Sequence, residues 1–308
     1  MIWGLIGAAL AGPWTRAEGS AYVKTGADYY RTTKYVLPAE SGLGATGDFG
    51  TNAFFGHQYS IYAEVGVSEA WPIQIAARLP FTVSRVAFSA ADSVNIVDGT
   101  STNYRGGDME LMPQVALTKK HPIAFGLGMK LPLYNVDHIC EGSIYRDFCG
   151  RPGDGQLDLT PTLSAGASFL KGKAWAEGAV GYRHRTEIFR NWTTTRAFVD
   201  GLAVGATVGA KAGPFIGMVR ADAIRNFTGF VYQKKYSDPL VQQAADRNGG
   251  QDPFTRQSAS IGPQAMAFLT DHLALEARTS FDVWARSTSL GVGFGLGLSW
   301  NGQLYGGS

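Results

Sequence analysis

The stretch His272 to Ser287, HLALEARTSFDVWARS, puts Leu273, Leu275, Ala277, Thr279, Phe281 and Val283 on one parity and Glu276, Arg278, Ser280, Asp282 and Arg286 on the other. Successive side chains of an extended chain point to opposite faces, so this is a long strand with one apolar and one charged side. The pattern recurs. Tyr59, Ile61, Ala63 and Val65 alternate with Ser60, Tyr62 and Glu64; after Ser68-Glu69-Ala70, Ile73, Ile75, Ala77 and Leu79 alternate with Gln74 and Arg78. Two period-two runs joined by a few polar residues predict a hairpin.

Twelve alternating segments are read along the chain, at 19–31, 53–67, 71–88, 104–118, 122–134, 154–169, 173–186, 197–210, 214–229, 253–269, 272–286 and 288–300. A tilted membrane strand needs about 9 to 11 residues, whereas strands of soluble proteins average about 5 to 6. Short turns are expected at Lys119–Pro122, Leu170–Lys173, Lys211–Gly213 and Thr270–His272. Long polar connections are expected at Thr32–Asn52, Ser89–Asn103, Asn135–Gly153, Glu187–Arg196 and Phe230–Asp252. This asymmetry predicts an all-β fold: a closed antiparallel transmembrane β-barrel of about 12 strands, with short periplasmic turns, long extracellular loops and both termini periplasmic. The very short connection at Arg286–Thr288 leaves counts of ten or fourteen open.

Composition fits that class. Charged residues are only 17% of the chain, aromatics 12%, with 40 glycines and a mean hydropathy of −0.06. A sheet with lipid outside and a polar interior averages to such values. No run reaches the roughly 18 to 20 apolar residues of a membrane-spanning helix. Met1 to Gly12 reads as a secretory apolar region without a basic start, with cleavage after Ala11 or Ala17, so 1–17 is expected to be a signal peptide or N-terminal segment, 18–300 the barrel and 301–308 a periplasmic tail. The net charge of +2 is dispersed, which gives no stripe for nucleic acid. Cys140 and Cys149, nine positions apart in a polar segment, are expected to form a small disulfide loop in an exported protein.

Parity assigns faces. Lipid would meet Ile123, Phe125, Leu127, Met129, Leu131 and Leu133, then Leu157, Leu159, Leu163, Ala165, Ala167 and Phe169, and finally Leu290, Val292, Phe294, Leu296, Leu298 and Trp300. The lumen would receive Lys24, Asp28, Tyr62, Glu64, Arg78, Asp108, Glu110, Lys130, Asp158, Glu177, Arg183, Arg185, Arg220, Asp222, Glu276, Arg278 and Asp282. Arg or Lys on the lipid face near mid-membrane costs about 2–4 kcal/mol, so one consistent parity for these charges is the strongest sign of a barrel. Two readings of the charges stand side by side: a self-paired plug of side chains, or the wall of a polar passage. Gly291, Gly293, Gly295 and Gly297 would leave the inner face of the last strand bare, which favours free space. Trp71, Phe215 and Trp300 at one level, and Tyr104, Tyr134, Tyr182, Phe230 and Trp284 at the other, are expected as interfacial anchors.

No catalytic residue is expected. His57 and Ser60 fall on opposite faces, His121, His138 and His272 lie in or beside connections, and His184 with Thr186 looks outward. Asp147, Asp154 and Asp158 have no coordinating spacing, so neither metal nor cofactor is expected.

Tyr59 to Phe81, YSIYAEVGVSEAWPIQIAARLPF, with Tyr62-Ala63-Glu64, Ser68-Glu69-Ala70, Leu79-Pro80-Phe81 and the later Gly107-Asp108-Met109-Glu110-Leu111, resembles the outer-membrane transporters of the phenol-degradation meta-pathway group, distantly like the long-chain fatty-acid channels. The resemblance covers about the first 120 residues and implies passage of small, often hydrophobic or aromatic compounds, with Tyr62, Glu64, Arg78, Asp108 and Glu110 in the wall. The sequence departs from the group in its cysteine loop and in the residues that follow Trp300. The expected function is therefore an outer-membrane channel of a Gram-negative bacterium for diffusion of small solutes, seated in outer-membrane lipid and lipopolysaccharide. The alternative is a structural barrel that anchors a periplasmic or outer-membrane protein partner.

Overall fold

The structure is a computed structural model that describes residues 13–36, 47–48, 54–91, 96–118, 121–134, 157–186, 200–227, 257–286 and 288–304. Its strands are β1 (Ser20–Val36), β2 (Phe54–Ser68), β3 (Ile73–Ala91), β4 (Ile96–Gly106, resuming at Asp108–Ala116), β5 (Ile123–Pro132), β6 (Asp158–Phe169), β7 (Ala174–Arg185), β8 (Gly201–Ala212), β9 (Phe215–Asn226), β10 (Gln257–Phe268), β11 (Leu273–Arg286) and β12 (Thr288–Gln303). A two-residue piece, Gly47–Asp48, adds to the edge of β1. Each strand pairs antiparallel with its neighbour in sequence, and β12 pairs with β1 from Ser20↔Gln303 to Val36↔Thr288, which closes the sheet. Counting the two halves of β4 as one strand, the result is a twelve-stranded antiparallel barrel.

Closure explains the strand ends. Asn301–Gln303, expected in the tail, continue β12 because Ser20–Tyr22 offers a free edge beside them. Ser89–Asn103, expected as a loop, instead carries paired backbone: β3 and the first half of β4 run together as far as Ala91↔Ile96. Gly107 breaks β4, donating its N–H to the Pro80 carbonyl at 2.9 Å, and the break shifts parity, so that Gly106 faces Phe81 while Asp108 is buried. Three other ladders skip two pairs, each beside a proline: Pro113 between β4 and β5, Pro161 between β6 and β7 and Pro263 between β10 and β11. A proline has no N–H to give a ladder, and each of these pairs in regular register on its other side.

The turns joining β2 to β3, β4 to β5, β6 to β7, β8 to β9 and β10 to β11 gather at one end. The β6–β7 turn passes through positive φ at Leu170, Lys171 and Gly172, and the β8–β9 turn uses Gly213 at φ 58°. Thr270 Oγ1 accepts from the N–H groups of His272 and Leu273. The expected Cys140–Cys149 disulfide is withdrawn: no disulfide occurs among the described residues and both cysteines lie outside them. Nine positions of spacing do not fix the Cα separation that such a bond requires. Residues 1–12, most of the expected loops at 32–52 and 230–252, and Phe230 also lie outside the described residues.

Burial alternates along the strands: over Asp108–Ala116, Asp108, Glu110, Met112 and Gln114 are buried and the residues between them half-buried. The outer surface is a continuous apolar band in which Leu275, Phe294 and Leu296 expose 50%, 53% and 71% of their area. Such a band on a closed sheet fits hydrocarbon, not water. Leu296→Arg is therefore expected to lower stability by about 2–4 kcal/mol in lipid vesicles, measured by denaturant unfolding. An unchanged midpoint would place this residue outside the hydrocarbon.

Candidate functional site: the barrel interior

The register sets a row of inward residues across seven strands: Lys24 of β1 opposite Tyr62, Tyr62 opposite Arg78, Arg78 opposite Glu110, Glu110 opposite Lys130, Lys130 opposite Asp158 and Asp158 opposite Arg185. Opposite charges placed directly across a ladder attract, and here they do so away from water. Arg78 lies 3.6 Å from Glu110 and donates to Gln58 at 2.6 Å. Lys130 bridges Asp158 at 3.0 Å and Asp108 at 3.7 Å. Asp158 also accepts from Arg183 at 2.9 Å and from Arg185 at 3.2 Å. Asp158, Lys130 and Arg183 are almost fully buried. Tyr134, expected as an interfacial anchor, instead donates to Asp108 at 2.8 Å.

The other side of the interior is looser. Arg278 grips Asp28 with two guanidinium nitrogens, Nε at 2.8 Å and Nη2 closer. Lys24 and Tyr22 both donate to Glu276. Tyr62 donates to Glu64 at 2.6 Å, Arg220 pairs with Asp222 at 2.7 Å, and Tyr30 donates to Asp282 at 2.7 Å. Between these groups lies a cavity of about 380 Å³. Its wall includes Tyr22, Tyr62, Glu177, Arg220, Glu276 and Arg278, with Met218 and Met266 supplying apolar surface. The volume falls in the range of small-molecule sites, about 300–1,000 Å³.

The glycines of β12 do not leave a bare wall. A Cβ at Gly291 would strike the Tyr30 ring, one at Gly295 would strike the Asp28 carboxylate and the Arg278 guanidinium, and one at Gly297 would stand 3.1 Å from Lys24 Cε. The space they vacate is filled by the Tyr30 ring, the Asp28–Arg278 pair and Lys24.

At the short-turn end the interior is narrowed by residues 13–17. Pro13 is buried and, with Trp14, sits where a side chain at Gly166 would be. Arg16 anchors the segment: its N–H donates to Gln74 at 2.9 Å, its Nε to Glu64 at 2.6 Å and its Nη1 to Asn301 at 2.9 Å. The guanidinium also lies over the Tyr22 ring, 5.1 Å from the centroid. Sequence reasoning passed over Arg16, which precedes the first alternating segment and has no periodicity to read. Tyr22 and Tyr30 share the parity of Lys24 and Asp28 and were legible on that ground.

At the opposite end, on the outer face, His184 pairs with Asp200 at 3.0 Å. Burial pushes the Asp200 carboxyl up, but hydrogen bonds from Tyr182, the Arg185 N–H and His184 outweigh it and hold the group below the usual carboxylate range. A depressed folded-state pKa stabilises above the unfolded value, near pH 4, and that contribution is lost as pH falls through the folded value. No group of three or more potential metal ligands occurs among the described residues.

The sequence matches no protein-family model and no curated protein. Among solved structures, the barrel matches an outer membrane channel from Pseudomonas putida with a TM-score of 0.66 at 9% identity, covering 95% of this chain and 99% of that one. A FadL homologue of Pseudomonas aeruginosa (TM-score 0.42, 8% identity, 99% and 98% covered) and a TodX monoaromatic hydrocarbon channel mutant (0.44, 8%, 97% and 94%) are more distant. The likeness is one of fold, a closed antiparallel β-barrel.

Asp158→Asn is expected to destabilise the barrel by about 3–5 kcal/mol, because it leaves Lys130, Arg183 and Arg185 around a neutral amide. Denaturant unfolding in lipid would show it, and a loss below about 1 kcal/mol would mean that water already screens the cluster. Asp200→Asn should flatten the pH dependence of stability below about pH 4, without altering it near neutrality.

Proposed function

We propose that this chain is a passive outer-membrane channel through which small solutes diffuse down their gradient. The observation that carries the reading is the cavity of about 380 Å³ inside a closed barrel, bounded by ion pairs held to the wall instead of across the axis. Rows of fixed charge along a wet passage set what passes and how fast. Tyr22, Tyr62, Met218 and Met266 give the wall apolar and aromatic patches, which suits the hydrophobic or aromatic compounds implied by the resemblance to the phenol-degradation group. In this reading the barrel sits in outer-membrane lipid and lipopolysaccharide with both termini periplasmic. Signal cleavage falls after Ala11, so that Arg16 stays in the mature chain as the latch of a narrowed periplasmic mouth.

A second reading has its own observation. The buried cluster of Asp108, Lys130, Asp158, Arg183 and Arg185 fills one side of the interior as a structural plug would. On that reading the barrel is an anchor for an envelope protein partner held through the turns or the C-terminal end.

Planar bilayers separate the two. The purified protein is expected to conduct, with the conductance changed by Glu276→Arg or Arg278→Glu and raised by Arg16→Ala, which releases the segment at the mouth. A membrane silent in several salts, together with a stoichiometric partner captured by cross-linking in native membranes, would replace the channel with the anchor.

A further inference from the structure

Five bases and five carboxylates line the cavity, but two of the bases take their partner, Glu110 or Asp28, from outside that lining. Its cationic side chains are Arg16, Lys24, Arg78, Arg220 and Arg278, and each already has a carboxylate. Arg16 has Glu64 and Lys24 has Glu276. Arg78 has Glu110, Arg220 has Asp222 and Arg278 has Asp28.

Two carboxylates of the same wall, Glu177 and Asp282, have no ion-pair partner among the described residues. Glu177 stands directly across the ladder from the hydroxyl residue Thr207. Asp282 accepts from the Tyr30 hydroxyl at 2.7 Å and from the Gly291 N–H at 3.0 Å. Neutral donors orient a carboxylate without cancelling its charge. On the opposite wall, Lys130, Arg183 and Arg185 outnumber Asp108 and Asp158, but none of the five faces this cavity.

We propose that the cavity is selective for cations, with Glu177 and Asp282 as its selectivity-determining residues, and that it favours small organic cations, such as an amine carried on an apolar or aromatic body. The ammonium would meet one or the other carboxylate. The body would meet the Tyr62 ring and the Met218 and Met266 side chains of the same wall. Aromatic faces add a cation–π attraction. An anion of the same shape would find every basic group already engaged. The inference deepens the channel reading and rests on it for passage, though not for binding.

The test has two arms on the purified full chain. In the first, the reversal potential is measured across a planar bilayer with a KCl gradient. A unit charge about 7 Å from the path, screened as in water, changes ion occupancy about threefold. The expected cation-to-anion permeability ratio is therefore above about 3, falling towards 1 in the Glu177→Gln/Asp282→Asn double variant. In the second, equilibrium dialysis compares benzylammonium with benzoate on the protein in detergent, which needs no conduction. The wild type is expected to bind benzylammonium more tightly by about threefold or more, and the double variant to lose the difference. Native-like circular dichroism and heat modifiability of the double variant exclude misfolding as the cause. A silent bilayer with the expected dialysis result would defeat the channel reading and leave the cation site standing. Anion selectivity, or benzoate bound as tightly as benzylammonium, would overturn the inference whatever the conductance.

Discussion

The architecture depends on one constraint: a charged side chain on a strand in hydrocarbon has only one tolerable direction to point, which is inward. Once the apolar parity of each strand faces lipid, the polar parity of all twelve converges on one enclosed space. Charges brought together there are themselves expensive unless paired, because desolvation acts on each of them. The barrel meets both demands with a cross-strand register that sets acids beside bases, as in the row from Lys24 through Arg78, Glu110, Lys130 and Asp158 to Arg185.

The small residues follow from this arrangement. Gly295 lets the Asp28–Arg278 pair lie flat on β12, and Gly297 does the same for Lys24. Holding these pairs against the wall keeps the space beside them open, whereas the cluster around Asp158 fills its own side. The interior is therefore lopsided, packed on the β3–β7 side and hollow towards β9–β11. Prolines sit where the ladder is already interrupted, so their missing N–H groups leave three local gaps in an otherwise closed sheet.

Strand positions and faces were legible from the sequence because an extended chain repeats every two residues and lipid reads one of the two faces. Less was legible where that period fails. Gly107 resets parity in the middle of β4, and the hairpin of β3 and β4 runs on through a segment whose composition reads as loop. Tyr134 looked like an anchor at the membrane edge but turns to Asp108, since a tyrosine at a strand end can reach either way. Which acid meets which base was out of reach: Asp28 and Arg278 are 250 positions apart and meet only because β12 closes onto β1 with a particular stagger. Arg16 carried no periodic signal at all, and its role comes wholly from the mouth it crosses.

The central claim is the assignment of faces, and nitroxide scanning tests it most directly. Single cysteines placed in turn from Leu273 to Phe281, in a chain with Cys140 and Cys149 replaced by serine, would be spin-labelled in lipid vesicles. Collision with oxygen, which concentrates in hydrocarbon, is then compared with collision with a water-soluble nickel chelate. The account predicts high oxygen accessibility at 275, 277 and 281 and low values at 274, 276 and 280, alternating residue by residue. Equal accessibility on both parities, or oxygen maxima at Glu276 and Ser280, would contradict it.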